Sequence, residues 1–433
     1  MPARFSRLAA IVVIALAGST MPALADHHPQ FGDIPDASPA PATPAAATPT
    51  AAAKPAAKPG VAKLPSKSET RLLANEVLVE TKPDIAPADL AAIAKRNHLT
   101  LIETADNVLL VAKVHRFHID DGRPVRTVLL GLNAERLVLL AQPNYSYTLT
   151  QAATPAAAPV PQYAADLLHL PAVHALATGR AIKIGILDTG IADPMAELAG
   201  SVALRFDATG QPPADDLSHG TAVAGIVAAH VTLQGVAPAA TLLSARAFVA
   251  ADGQPPGSNS FVLLKGFDWL ASSGAQIVNM SFAGPADPLF SKELKAAHDK
   301  GILAVAAAGN DGPKAAPDFP GADPNVIGVT AVDDADAVLP EANQGDYIAV
   351  SAPGVDVLVL APDGSYVTDS GTSMAAPHVA GIAALLLEHD PTLTPDALAK
   401  LLTGTADDLG KKGKDKVFGA GLVDPQKALT SKP

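Results

Sequence analysis

Cysteine is absent from this chain of 433 residues. That excludes disulfides, thiolate metal sites and a lipidated N-terminal cysteine; it is compatible with export without requiring it. Aromatic residues are scarce, at 4%, so a core must be filled by aliphatic side chains and alanine. The 48% hydrophobic content supplies enough of them. Basic charge is also short. The formal net charge is −12, and the acid excess lies in residues 163–433, which argues against nucleic-acid or anionic-lipid partners. Apolar runs beyond the N-terminus are broken by Gly, Pro or charge, and no internal repeat is visible. The length allows two or three domains.

The N-terminus has the layout of an export signal. Arg4 and Arg7 precede an apolar stretch from Leu8 to Gly18, and Ala23-Leu24-Ala25 fits a cleavage site, so residues 1–25 are expected to be removed. The other reading is an uncleaved anchor, but the stretch is shorter than the roughly 18–20 residues of a spanning helix. Residues 26–68 are dominated by Pro, Ala and Thr and read as a disordered tether. His27 and His28 within it are a possible metal pair, or simply solvated.

Four later segments carry chemistry. Ile182 to Leu187 is an apolar strand ending in Asp188 before a glycine turn, and strand carboxyl ends are where α/β proteins place reactive groups. His219 opens a small, apolar helix from Gly220 to Val227. Ile302 to Ala308 is another apolar strand, followed by Gly309 and Asn310, a turn residue or a side-chain amide able to donate to an oxyanion. Ser373 follows the turn Ser370 to Thr372 and precedes the apolar helix Val379 to Leu387. At a first helical turn it would have free N–H groups and the positive dipole end around it, a setting for a nucleophile. Each segment alone also reads as an ordinary cap, turn or packing residue.

Together they resemble the subtilisin-like serine proteases (subtilases, peptidase S8). The resemblance rests on Leu187-Asp188-Thr189-Gly190, His219 to Gly225, Asn279-Met280-Ser281, Ala307-Ala308-Gly309-Asn310, Gly371 to Pro377 and the closing Gly419 to Asp424. It covers roughly Pro161 to Leu429. The order Asp, His, Ser is that family's order. The resemblance implies a mature α/β domain over 163–433, with a mainly parallel sheet covered by helices on both faces. It implies Ser373 as nucleophile, His219 as general base, Asp188 as the carboxylate that orients the imidazole, and Asn310 with the Ser373 N–H as oxyanion hole. It also implies a cleft that holds substrate as an added strand, between Gly257-Ser258 and Ser281-Phe282-Ala283-Gly284. Ala283 stands where the family usually has glycine, which is expected to narrow the cleft. Gly309 and Asp318 fall at the pocket for the side chain before the scissile bond. Asp318 there would favour Arg or Lys; otherwise it is a solvent-facing loop carboxylate.

Residues 69–150 change character. Val77 to Val79, Leu99 to Glu103, Val108 to Val114 and Leu137 to Leu140 read as strands, with helices over Pro87 to Asn97 and Arg123 to Leu130. This order suggests a ferredoxin-like α+β module. It resembles the inhibitory prodomain of subtilases, with Ala141 to Tyr145 resembling its exit; an independent binding module is the alternative. Residues 151–162 form an Ala/Pro linker in which processing is expected.

The resulting expectation is an exported serine endopeptidase, secreted or periplasmic, made as a self-processing zymogen and monomeric. Its partners would be polypeptide substrates and its own prodomain. No cofactor is required for the chemistry. Structural calcium is possible, with loop acids such as Asp193, Asp333, Asp334 and Asp336 as candidates, but no calcium-loop spacing assigns it. A catalytically silent binding protein on the same fold, and a dedicated processing or ligating relative, are the rival readings.

Overall fold

Strands buried on both faces need apolar side chains pointing both ways. Here this is met by alternating branched residues with small ones. Leu303 and Val305 point into one core while Ala304 and Ala306 point into the other. The computed structural model describes residues 64–150, 161–212, 216–250 and 255–432. The expected signal segment, His27, His28, nearly all of the tether and most of the linker lie outside the described residues.

The N-terminal module runs β1 (Leu72–Thr81), α1 (Pro87–Arg96), β2 (Leu99–Asn107), β3 (Ala112–Ile119), α2 (Val125–Leu132) and β4 (Val138–Leu149). Its antiparallel sheet has the order β4-β1-β3-β2. One face of the sheet packs on α1 and α2 through Val77, Val79, Ile93, Phe117, Val128 and Leu132. The other face, with Leu78, Val114, Tyr145 and Tyr147, joins the core of the larger unit. One expectation is corrected: Val108 to Val111 form a turn rather than the start of a strand, with Val111 at φ +52°. The strand expected over Leu137 to Leu140 is β4, which runs on through Ala141 to Tyr145 as far as Leu149.

The larger unit begins with two short turns, α3 (Tyr163–Leu167) and α4 (Leu170–Val173), before β5 (Lys183–Asp188) and β6 (Val202–Asp207). Then come α5 (Ser218–Ala228), β7 (Thr241–Arg246), β8 (Gly257–Asn259), α6 (Ser260–Ser272), β9 (Ile277–Met280), β10 (Phe282–Ala283) and α7 (Pro288–Asp299). The chain continues through β11 (Leu303–Ala307), β12 (Val326–Val332), β13 (Ile348–Pro353), β14 (Val357–Leu360) and β15 (Tyr366–Asp369). It ends with α8 (Thr372–His389), α9 (Pro395–Gly404) and α10 (Pro425–Thr430).

Seven strands form one sheet in the order β13-β12-β11-β9-β5-β7-β6, and every neighbouring pair is parallel. Helices α5 and α8 cover one face and α6 and α7 the other. Both α5 and α8 are buried almost all round, as expected of helices that are apolar on every side. Their small residues permit this. A Cβ on Gly381 would come 2.6 Å from the Val236 Cβ. Among the described residues no helix is long and apolar enough to cross a membrane.

Candidate active site

Asp188 closes β5, where the sheet's carboxyl edge meets α5. It is fully buried. The Thr189 N–H donates to its Oδ1 at 2.7 Å. His219 lies in the first turn of α5, and its Nδ1 is 2.8 and 2.9 Å from the two Asp188 oxygens. An ionised carboxylate only accepts, so Nδ1 carries the ring proton and Nε2 is left as the acceptor. Gly220 makes this approach possible: a Cβ there would sit 2.1 Å from the Gly190 carbonyl oxygen. Burial disfavours the His219 imidazolium. The charge and hydrogen bond of Asp188, with help from Asp369 and Asp216, outweigh that and hold its pKa above the ordinary 6.5.

Ser373 lies in the first turn of α8, and the helix starts earlier than the apolar run from Val379. Pro377 is inside this helix and has no N–H for the Ser373 carbonyl four residues before it. Ser281 supplies the missing donor: its Oγ–H donates to the Ser373 carbonyl at 2.8 Å. Asn279 in turn donates to Ser281 Oγ at 2.9 Å. The Ser373 Oγ and His219 Nε2 are both buried and have no hydrogen-bond partner. His378, in the same segment, is a structural residue. It bonds the Met374 carbonyl at 2.8 Å, and burial holds its pKa down to about 4.

Asn310 follows β11. Its Oδ1 accepts from the Thr372 N–H at 3.2 Å and from Thr372 Oγ1 at 2.8 Å. That leaves Nδ2 to point the other way, where it donates to the carbonyl of Thr150 at 3.0 Å. A Cβ built on Gly371 would meet the Thr150 carbonyl oxygen at 2.6 Å, Ser373 Oγ at 2.9 Å and Asn310 Nδ2 at 3.1 Å. These three atoms therefore surround one point, and glycine keeps it open.

The chain occupies its own cleft. Ser146 to Leu149, the tail of β4, lies antiparallel between β8 and β10. Tyr147 and Thr148 pair with Ser258 and Gly257 on one side, and Thr148 and Leu149 pair with Ala283 and Phe282 on the other. Gly284 is a close-approach position, since a Cβ there would lie 2.3 Å from the Tyr147 ring. Phe282 is fully buried and meets the strand twice, through its ring edge-on to Tyr147 at 5.8 Å and through backbone pairing with Leu149. Ser281 likewise faces the cleft through its carbonyl, which accepts from Thr150 Oγ1 at 3.2 Å. Ala283 in the usual glycine position still pairs in register with Thr148.

Asp318 lines a cavity beneath Thr150, together with Asp311, Asn310 and Gly284. It is buried. Its Oδ2 accepts from Asn343 at 2.9 Å and its Oδ1 from Arg71 of the module at 2.9 Å. Burial, with nearby Asp311, raises its pKa against the opposing pull of Arg71 and Asn343. Sequence reasoning missed Thr150 as the residue at the centre, and it missed Arg71 and Asn343 altogether.

Asp193 pairs with Arg205 at 3.5 Å, and Asp333 accepts the Ala335 and Ala337 N–H groups within its own turn. Among the described residues, no group of three or more His, Asp or Glu side chains is placed to hold a metal.

The subtilase family model matches residues 179–421. The chain belongs to that family, whose members are serine endopeptidases. It is 36% identical to subtilisin DY of Bacillus licheniformis over 58% of this chain and 91% of that protein. It is 35% identical to a subtilisin of Bacillus pumilus over 61% of this chain and 98% of that one. The minor extracellular protease Epr of Bacillus subtilis (strain 168) is 34% identical over 57% of this chain, which spans 38% of Epr. Among solved structures, fervidolysin from Fervidobacterium pennivorans, described as a keratinolytic enzyme related to subtilisin, superposes with a TM-score of 0.72. That match covers 86% of this chain and 63% of fervidolysin at 23% identity, a likeness of fold.

Proposed function

We propose that this chain is an exported endopeptidase zymogen whose first substrate is its own Thr150–Gln151 bond. The observation that carries this reading is the Thr150 carbonyl resting on the Asn310 amide, next to an unpaired Ser373 hydroxyl, while the Nε2 of the Asp188-bound His219 is buried and unpaired. A base with its acceptor atom free, a hydroxyl with its proton to give, and a carbonyl already polarised are the components of acyl transfer.

His219 Nε2 takes the Ser373 proton as Oγ attacks the Thr150 carbonyl carbon. Asp188 stabilises the imidazolium through Nδ1–H. The oxyanion is held by Asn310 Nδ2 and by the Ser373 N–H, which has no helical acceptor at a first turn. The imidazolium then protonates the leaving amine of Gln151, and water releases the acyl group by the same proton path. Residues 69–150 remain as an inhibitor, because β4 still fills the cleft by strand pairing after the cut. Other polypeptides would bind as extended strands in its place. Export rests on the layout of residues 1–25, and the mature enzyme is expected to act as a monomer.

A fluorophosphonate probe tests the nucleophile and N-terminal sequencing tests the junction. Wild type should label once the module is gone and should show a new N-terminus at Gln151. Ser373→Ala should do neither and should accumulate uncut. Cleavage of the alanine variant at the same bond, in a host lacking proteases, would exclude self-processing.

A further inference from the structure

We infer that the cavity beneath Thr150 is a subsite for a cationic side chain, with Asp318 as its anion, and that Arg71 occupies it in the intact chain in place of a substrate side chain. This rests on the reading of Thr150 as the residue before the scissile bond.

The anion is built into the cavity wall. Asp318 is 3% exposed and Asn343 is fully buried. The Asn343 amide takes Oδ2, which turns Oδ1 toward the cavity and Arg71. Gly309, at φ +109°, leaves room for this. A Cβ there would lie 2.7 Å from Asp318 Oδ2 and 2.6 Å from Asn343 Nδ2. The next residue is tied to the cleft wall, since the Phe319 N–H donates to the Gly284 carbonyl at 3.0 Å. A loop carboxylate meant for solvent needs none of these constraints.

The occupant is a cation that comes from elsewhere in the chain. Among the described residues lining the cavity, Arg71 is the one cation, facing Asp311 and Asp318. Its backbone runs beside the tail of β4, where its carbonyl accepts from the Ser146 N–H at 3.0 Å. Glu69 grips the guanidinium from behind through Nε at 3.2 Å and Nη2 at 3.3 Å, so Nη1 is left to reach Asp318. Thr150 is too short to fill the space, and its hydroxyl is engaged by the Ser281 carbonyl. When the module leaves, Asp318 loses its cation and keeps only the Asn343 amide. A Lys or Arg before the scissile bond of a substrate restores the pairing that Arg71 supplied. Burial makes this discrimination large, because a buried carboxylate without a partner is costly.

The test uses enzyme that has matured from the full chain. kcat/KM is measured for matched peptides with Lys or Leu before the scissile bond, in wild type and Asp318→Asn. The Lys-to-Leu ratio should fall by about tenfold or more in the variant, as expected for a hydrogen bond to a charged group. Benzamidine, a small amidinium probe, should inhibit wild type competitively and lose that effect in Asp318→Asn. In the full chain, Arg71→Gln should shorten the delay between self-cleavage and activity on added peptide. In the Asp318→Asn background the same change should add nothing. Fluorophosphonate labelling with an unchanged ratio and no benzamidine competition overturns this inference alone. Absence of both labelling and hydrolysis overturns the protease reading as well.

Discussion

Ser281→Ala is expected to loosen the turn that carries Ser373, the proposed nucleophile. The Ser373 carbonyl has lost its helical donor to Pro377, and the Ser281 hydroxyl replaces it at 2.8 Å. Ser373, Ser281 and Asn279 are all fully buried, so solvent cannot take over the role. Removing the hydroxyl strands both the Ser373 carbonyl and the Asn279 amide. Each stranded group costs about 1–3 kcal/mol, and the low end for both gives about 2 kcal/mol in total. For a domain of this size that lowers the unfolding midpoint by roughly 3–4 °C. Thermal unfolding should be followed in the intact Ser373→Ala chain, which cannot digest itself. The decisive comparison adds Pro377→Ala, which returns an N–H to the position four residues after Ser373. In that background Ser281→Ala should cost about 1 kcal/mol less, because the two donors serve one acceptor. An equal cost in both backgrounds would refute the claim that Ser281 stands in for the missing helical bond.

Asn310→Ala should lower kcat by about 10²–10³ with little change in KM, the loss seen when the side-chain donor of a subtilisin is removed; single-turnover acylation measures it, and a wild-type rate would remove Asn310 from the oxyanion site. Gly220→Ala should displace α5 from the Gly190 carbonyl, at a cost of about 1–3 kcal/mol, and should abolish fluorophosphonate labelling even where the chain folds. His219 must be neutral to act as base and its pKa lies above 6.5, so labelling should rise with pH through a midpoint above that value and move lower in Asp188→Asn. Burial, opposed by a hydrogen bond from Asn107 of the module, raises the Glu293 pKa well above 4.5. A carboxyl with a raised pKa favours the docked form at low pH and loses that contribution as pH rises. Module release should therefore speed up as pH increases from about 4.5, and Glu293→Gln, which keeps an acceptor for Asn107, should flatten the dependence.

The four groups proposed to react were legible as a set, because each has a local signature and the signatures occur together in one order. Asp188 and Asn310 follow apolar strands, and His219 and Ser373 start helices of small residues. Each pattern arises within about ten residues, and it is their joint occurrence that separates them from ordinary caps and turns. The alternation of the module's elements was legible for the same reason, apart from the turn at Val108 to Val111, where an apolar composition mimics a strand. The start of α8 was legible too, since Ser373 is expected in its first turn and the helix begins at Thr372; how the helix accommodates Pro377 was not. The buried Ser281 hydroxyl, brought from between β9 and β10, donates to the Ser373 carbonyl that Pro377 leaves without a helical donor.

What the tertiary structure decided is how distant groups meet. Arg71 and Asp318 are 247 residues apart in sequence, and nothing near either announces the other. Thr150 is an ordinary residue at the end of a module until strand pairing with β8 and β10 sets its carbonyl against Asn310. Asn343 looks like a loop amide until Gly309 admits it beside Asp318. Local patterns, taken together, single out the side chains proposed to react, because secondary structure and helix ends are short-range. Which carbonyl they face, and which charge fills the pocket beside it, are settled by long-range packing that no single segment encodes.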